Sequence, residues 1–183
     1  MAVAYDPSKH YEIKVRDIEY RRDPARTLMA RIYQPQGSGP FPALLDLHGG
    51  AWNDQDRTAI APMDERLAAS GILVVAIDMR RAHEAPYPAS VADVNYGVRW
   101  LKWKARELKG DPATVGALGS SSGGHELQLC AMRPHDPRYT AHPLPEAPHL
   151  DATLTYVVAR SPISDPFARY EQAKKMQREN LIK

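Results

Sequence analysis

A serine between two glycines is the strongest chemical signal in the sequence. The run Gly119-Ser120-Ser121-Ser122-Gly123 fits the G-x-S-x-G pattern and lies between an apolar strand pattern and a helical one. In such a turn the serine has a strained backbone, and small residues two positions before and after it prevent clashes. Its hydroxyl then projects beyond the strand end. Ser121 is therefore the candidate nucleophile for acyl transfer.

The same residues have two other interpretations. A Gly/Ser-rich stretch can be a turn without chemistry, or a loop that binds phosphate through its backbone N–H groups. A Walker loop requires G-x-x-x-x-G-K-[ST], and no lysine follows this glycine pair. The helix that begins near Ser122 directs its free N–H groups toward the turn, where they favour a developing negative charge. The pattern therefore favours the nucleophile interpretation.

A second glycine motif, His48-Gly49-Gly50-Ala51-Trp52, directly follows another apolar strand pattern. Glycines at this position let backbone N–H groups turn toward a substrate oxyanion without an intervening side chain. The motif alone is also typical of a tight turn after a strand. Its location one strand-helix-strand-helix-strand passage before Ser121 favours a role at the same site. Trp52 and Asn53, with Asp54, are expected to border the entrance to that site.

Alternating apolar patterns place both motifs at the ends of strands. We expect six strands, at 11–20, 28–32, 42–47, 71–78, 114–118 and 152–158. Helices are expected at 58–70, at 91–108, from about 122 and at 166–183, with a proline-rich loop at 133–149. Trp100 and Trp103 are interpreted as packing residues beside the apolar stripe of the second helix. This order predicts a single α/β domain over residues 1–183, with a mainly parallel sheet flanked by helices.

Composition excludes several classes of protein. The 183 residues include 24 Lys and Arg against 22 Asp and Glu, a formal net charge of +2, so a nucleic-acid partner is not expected. Cys130 is the single cysteine, which excludes an intrachain disulfide and indicates a reducing, cytoplasmic compartment. No signal peptide or membrane span is predicted, since the longest apolar run covers only residues 72–77. The acyl-transfer chemistry calls for no cofactor and no metal.

A third segment completes a recognisable set. Residues 78–89, with Asp93 beyond them, are similar to the stretch D-x-R-x-x-x-E-x-P-x-P-A of the HGG-containing esterases related to hormone-sensitive lipase. Together with HGGAW and GSSSGG, this segment makes residues 46–124 resemble that family, and the resemblance extends weakly to the last residue. It implies the α/β-hydrolase fold, an ester substrate of small size, and the start of a cap region over residues 160–183.

The resemblance also implies roles for the backbone around both motifs. The oxyanion hole would consist of the N–H groups of Gly50 and Ala51, with a third from Ser122. Ala51 stands where the family has its third glycine, which a backbone donor tolerates. His48 would orient the loop rather than act as the catalytic base.

The remaining triad residues are not evident in the sequence. In this fold the acid and the histidine follow the nucleophile after two further strands, which the chain lacks. His125 is one turn beyond Ser121 and is expected to pack or hydrogen-bond, and Asp136, His142 and His149 lie in the proline-rich loop. We therefore expect a C-terminal fragment or second chain to supply the Asp and the His, and the chain alone not to be a self-sufficient catalyst. Self-association through the same uncovered surface is the alternative.

Three functions remain open at this point. The first is a serine esterase acting through Ser121. The second is an amidase such as a formamidase, because the same acyl-transfer site serves amides. The third is an α/β-hydrolase-like binding module without a base. The intact serine turn favours the enzymes, since a binding module has no need of a strained serine.

Overall fold

The computed structural model describes residues 5–24 and 26–178. Its strands are β1 (Ile13–Asp23), β2 (Arg26–Pro35), β3 (Ala43–Leu47), β4 (Leu73–Ile77), β5 (Gly116–Ser120) and β6 (Val157–Arg160). Its α-helices are α1 (Ala61–Ala69), α2 (Ala89–Lys104), α3 (Ser122–Met132) and α4 (Pro166–Lys175). A short 3₁₀ turn, Pro112–Thr114, precedes β5.

The strands form one sheet in the order β1-β2-β4-β3-β5-β6. β1, β2 and β4 pair antiparallel, whereas β4, β3, β5 and β6 run parallel. The predicted α/β-hydrolase architecture, with a mainly parallel sheet flanked by helices, is confirmed. Because parallel strands end at the same edge, the loops after β3, β4, β5 and β6 meet there.

Burial explains which segments became central strands. Every residue of β3 and β4 is buried, as expected for parallel strands with both faces covered. The larger core cluster includes residues of α2 and α3. The smaller cluster includes Ala68 of α1, and Leu67 of the same helix packs against that cluster. Trp100 is 4% exposed and Trp103 packs on the larger cluster, so both are packing residues as predicted. Among the described helices, none is long and apolar enough to cross a membrane.

The last predicted strand is displaced. Residues 152–158 were expected to form it, but β6 spans Val157–Arg160. Ala152 is fully buried and Leu154 packs on the larger core cluster, so this apolar run serves the core before the sheet begins. Pairing with β5 then starts at Val157, opposite Ala117.

Helix boundaries differ less. The helix predicted at 166–183 begins as expected but α4 ends at Lys175, so residues 176–178 do not continue it, and residues 179–183 lie outside the described part of the chain. Asp165 caps α4, since its carboxylate accepts the Ala168 N–H at 2.8 Å. The helix predicted at 91–108 is α2, and the proline-rich stretch 133–149 contains neither helix nor strand.

Candidate active site

Ser121 lies at the turn between β5 and α3. Its backbone has φ 52° and ψ −115°, a region that costs a non-glycine residue about 1–3 kcal/mol. Ser120 ends the strand and Ser122 begins the helix. The half-buried Ser121 therefore stands at the carboxyl edge of the parallel sheet, in the strained turn expected of it.

Gly119 and Gly123 are packed too closely for any larger side chain. A Cβ on Gly119 would lie 2.5 Å from the Gly123 carbonyl oxygen. One on Gly123 would lie 2.6 Å from the Leu47 carbonyl oxygen and would overlap that of His48. All three obstacles are backbone atoms, so the turn and the end of β3 fit together only with glycine at both positions.

The loop after β3 brings a second set of backbone groups to this turn. Leu47 pairs with Gly119 in register, and a Cβ on Gly49 would lie 3.2 Å from the Ser121 Cβ. The next residues, Gly50 and Ala51, have φ 96° and 51°. Within residues 5–24 and 26–178, their N–H groups have no hydrogen-bond acceptor. Two unpaired donors therefore follow the residue that touches Ser121.

Internal hydrogen bonds hold the carbonyl groups of this loop. The N–H groups of Asn53 and Asp54 both donate to the Gly50 carbonyl oxygen at 3.0 Å, and Asn53 Nδ2 donates to that of Ala51 at 3.1 Å. The His48 ring donates from Nδ1 to the Gly49 carbonyl oxygen at 2.9 Å. Burial lowers the His48 pKa, against the opposing effect of this bond. The carbonyl oxygens are thus occupied while the N–H groups of Gly50 and Ala51 remain available.

A cavity of about 310 Å³ lies next to both motifs, since Trp52 and His125 line it, but Ser121, Gly50, Ala51 and Asn53 are not among its lining residues. Its walls are mainly apolar and come from the loop after β3, the loop after β4, α2 and α3. They include Trp52, Ala82, Ala85, Val91, His125 and Leu129. Pro166 at the start of α4 closes one side, so the segment predicted as the start of a cap borders the cavity. The volume is at the lower end of the range typical for small-molecule sites.

Buried ion pairs fix the loop after β4, which forms one wall. The fully buried Asp93 carboxylate accepts the Arg80 N–H at 2.8 Å and also accepts from the guanidinium groups of Arg80 and Arg21. Asp78, at the end of β4, accepts the Arg57 N–H at 3.1 Å. The third sequence motif therefore acts as a scaffold for the cavity wall.

The histidines and the acid that follow Ser121 have other partners. The His125 ring meets the Trp52 ring edge-on, and burial lowers its pKa against the opposing effect of the Ile163 backbone. His142 accepts from Arg80 at 2.8 Å, and Asp136 accepts from Arg138. His149 is exposed in the proline-rich loop. The expectation that His125 packs or hydrogen-bonds is met by its packing on Trp52.

Two parts of the site were not predicted from the sequence. One is the cavity wall at 82–91, whose residues had been identified only as a family motif. The other is Arg160–Ile163, which bonds to the backbone of Ser121. Both depend on contacts between residues far apart in the chain, and no local pattern signals them.

Glu126 of α3 makes the stability of this region depend on pH. It is 4% exposed, and burial raises its pKa to about 8. This folded pKa exceeds the unfolded value. The contribution of Glu126 to the stability of the fold is therefore complete below about pH 4.5 and is lost as pH rises toward 8. We expect Glu126→Gln, which cannot ionise, to be more stable than the wild type at pH 9 by a few kcal/mol. At pH 5 the two should differ less.

Guanidinium unfolding of both proteins at the two pH values measures this difference. If the unfolding free energies of the two proteins differ by the same amount at pH 5 and pH 9, Glu126 does not titrate with a raised pKa.

The order of strands and the strained serine at the carboxyl edge define an α/β-hydrolase. The chain belongs to the BD-FAE family, whose model matches residues 31–182. The predicted relation to the HGG-containing esterases is confirmed by its relatives.

Two relatives come from Mycobacterium tuberculosis. The probable carboxylic ester hydrolase LipM is 35% identical over 103 residues, which is 56% of this chain and 24% of LipM. Esterase LipC is 32% identical over 132 residues, 72% of this chain and 32% of LipC. The chain therefore spans only about a quarter to a third of the length of these relatives.

Solved structures give the same fold. The propionate-bound esterase Est2 of Thermogutta terrifontis is 25% identical with a TM-score of 0.69, over 92% of this chain and 62% of Est2. Another structure shows Thermogutta terrifontis esterase 2 phosphorylated by paraoxon, at 27% identity and a TM-score of 0.57, over 65% of this chain and 46% of that one. A bacterial heroin esterase matches at 25% identity and a TM-score of 0.62, over 68% of this chain and 40% of that one.

Proposed function

We propose that this chain carries the nucleophile and the oxyanion hole of a serine hydrolase that cleaves small carboxylic esters. The observation that carries the proposal is the strained Ser121 turn, packed against a loop with two unpaired N–H donors. The names of its relatives, which are esterases and carboxylic ester hydrolases, support ester bonds as the target. Ser121 is the nucleophile, and its turn is a nucleophile elbow.

The reaction follows from these groups. A histidine takes the Ser121 proton as the hydroxyl oxygen attacks the ester carbonyl, and a tetrahedral oxyanion forms. The N–H groups of Gly50, Ala51 and Ser122 stabilise that oxyanion. A helix N-terminus also favours the negative charge. The alcohol leaves with the proton from the histidine, and water then releases the acid by the same steps. His48 holds the loop, while Trp52 and Asn53 border the substrate cleft.

The acid and the base come from a C-terminal fragment or a second chain. Two observations support this part of the proposal. Of the partly buried histidines after Ser121, His125 packs on Trp52 and His142 accepts from Arg80. In addition, the edge strand β6 leaves Val157 and Val158 41% and 45% exposed, which is an apolar edge suited to further pairing. Self-association through this edge is the competing arrangement.

Two further assignments belong to the proposal. Residues 160–183 begin a cap, since Pro166 of α4 borders the cavity and Arg169 stacks on Trp52 at 5.5 Å. A reducing, cytoplasmic location accords with Cys130, a free thiol that is fully buried, with its pKa raised by burial to about 12.

Chemical rescue tests whether this chain supplies the nucleophile while its partner supplies the base. We expect the 183-residue chain to hydrolyse p-nitrophenyl acetate no faster than its Ser121→Ala variant, because a base is missing. Added imidazole can supply that base, and should raise the rate of the chain above that of the variant under the same conditions.

Either of two outcomes would contradict part of the proposal. Turnover that depends on Ser121 without imidazole would show that the base lies within this chain. Equal rates for chain and variant with imidazole would remove Ser121 as the nucleophile.

A further inference from the structure

Both backbone polar groups of Ser121 bond to one downstream segment, Arg160–Ile163. The Ser121 N–H donates to the Arg160 carbonyl oxygen at 3.0 Å, and the Ser121 carbonyl oxygen accepts the Ile163 N–H at 3.3 Å. Ser161, between them, has φ 45°, so it is itself in the left-handed region. The strained serine is therefore held by a second strained segment at the end of the neighbouring strand.

The same segment packs closely on the first turn of α3. A Cβ on Gly124 would lie 3.0 Å from the Pro162 Cβ, tighter than ordinary van der Waals contact. Ser120 and Arg160 are partners in the β5–β6 register, which sets the two strand ends side by side. Movement of 160–163 would therefore be transmitted directly to the Ser121 turn.

His125 connects this segment to the loop after β3. The backbone N–H groups of His125 and Ile163 donate to the same Ser121 carbonyl oxygen, at 3.1 and 3.3 Å. The Ile163 backbone also opposes the lowering of the His125 pKa by burial. The His125 ring meets that of Trp52 with centroids 5.7 Å apart and planes at 89°, an edge-to-face geometry that is favourable between aromatic rings. Trp52 directly follows Ala51, whose N–H is one of the two unpaired donors. His125 therefore lies between the segment that holds Ser121 and the loop that carries the two unpaired N–H groups.

We propose that His125 is a positioning residue. With its ring packed on Trp52 and its backbone N–H on the carbonyl oxygen that Ile163 also contacts, it fixes the Arg160–Ile163 segment, and with it the Ser121 backbone, against the loop that carries Gly50 and Ala51. This inference rests on the proposed function for its catalytic consequence. The coupling of the three segments through His125 can be tested without measuring activity.

Three substitutions separate the effect of His125 on Ile163 from its packing on Trp52. His125→Gln keeps a polar side chain beside the Ile163 backbone but loses the ring, whereas His125→Phe keeps a ring against Trp52 but loses the polar group. His125→Ala loses both. Met132→Ala, at a residue of the same helix that is 71% exposed, is the matched control.

Amide hydrogen exchange measures directly how firmly the Ser121 and Ile163 backbones are held. In His125→Ala we expect the Ser121 and Ile163 amides to exchange about tenfold faster than in the wild type. The amides of β3 and β4 should be unchanged, which shows that the fold persists. His125→Gln and His125→Phe should each lie between His125→Ala and the wild type, and the control should match the wild type.

Steady-state kinetics then measure the consequence in the protein that carries its acid and base. A displaced nucleophile should lower kcat by up to about 10²-fold in His125→Ala with a smaller change in KM. His125→Gln and His125→Phe should each restore part of the loss.

The outcomes distinguish this inference from the proposed function. Wild-type exchange at both amides in His125→Ala would overturn the positioning role, whatever the activity. Faster exchange in a protein whose wild type shows no turnover that depends on Ser121 would uphold the positioning role and overturn the esterase proposal. If His125→Ala does not fold, His125→Gln and His125→Phe decide by the same criterion.

Discussion

Ser121→Ala is expected to lower kcat for ester hydrolysis by about 10⁴-fold or more in the protein that carries its acid and histidine. The loss is large because the variant has no oxygen with which to form the acyl-enzyme, so only the oxyanion hole and substrate binding remain. Initial rates with p-nitrophenyl acetate measure it. The fold should not change, since Ser121 is half-buried and the substitution removes only its hydroxyl.

The neighbouring serines provide matched controls. Ser122→Ala keeps the backbone N–H that we assign to the oxyanion hole, and Ser120→Ala removes a hydroxyl from the end of β5. Both variants should retain most of the activity. An equal loss in all three variants would mean that the turn as a whole, and not the Ser121 hydroxyl, is required. Retained activity in Ser121→Ala would place the nucleophile elsewhere.

Gly123→Ala is expected to destabilise the protein by about 3 kcal/mol and to abolish activity. The added methyl group would meet the carbonyl oxygens of Leu47 and His48, which belong to the end of β3 and cannot rotate away. To accommodate the methyl group, α3 must move from the sheet, which displaces Ser121 from Gly49. Guanidinium unfolding, with far-ultraviolet circular dichroism as the probe, gives the change in stability.

Gly97→Ala is the control for this substitution. Gly97 lies within α2, and its added Cβ would lie 2.7 Å from Ile77 Cδ1, the flexible end of a side chain that can rotate. Alanine also favours a helix interior over glycine by up to about 1 kcal/mol. We therefore expect little net change at this position. A Gly123→Ala variant as stable as Gly97→Ala would show that the β3–α3 contact is not as tight as the structure indicates.

The fold was predictable where local patterns and burial agree. The fully buried β3 and β4 and the amphipathic α2 were identified from their apolar patterns, because each is decided by which faces are covered. The displacement of β6 shows where this reasoning ends. The run from Ala152 is as apolar as a strand, but its first residues pack on the core instead of pairing with β5.

Site prediction has the same limit. The Ser121 turn was predictable because the crowding between Gly119 and Gly123 acts within five residues, whereas the contact of Gly123 with the end of β3 was not. The bonds from Arg160 and Ile163 to Ser121 connect distant parts of the chain, and no spacing in the sequence encodes them. The roles of Gly50, Ala51 and Ser122 in the oxyanion hole likewise remain proposals until activity is measured.

The central claim is that Ser121 is the nucleophile, and covalent trapping tests it most directly. Paraoxon transfers a diethyl phosphoryl group to an activated serine and releases p-nitrophenolate. Thermogutta terrifontis esterase 2 is phosphorylated by the same compound. We treat the protein carrying its acid and histidine with paraoxon and locate the adduct by peptide mass spectrometry. We expect a single adduct on Ser121 and none in the Ser121→Ala variant. An adduct on any other residue, or equal labelling of both proteins, would show that Ser121 is not the nucleophile.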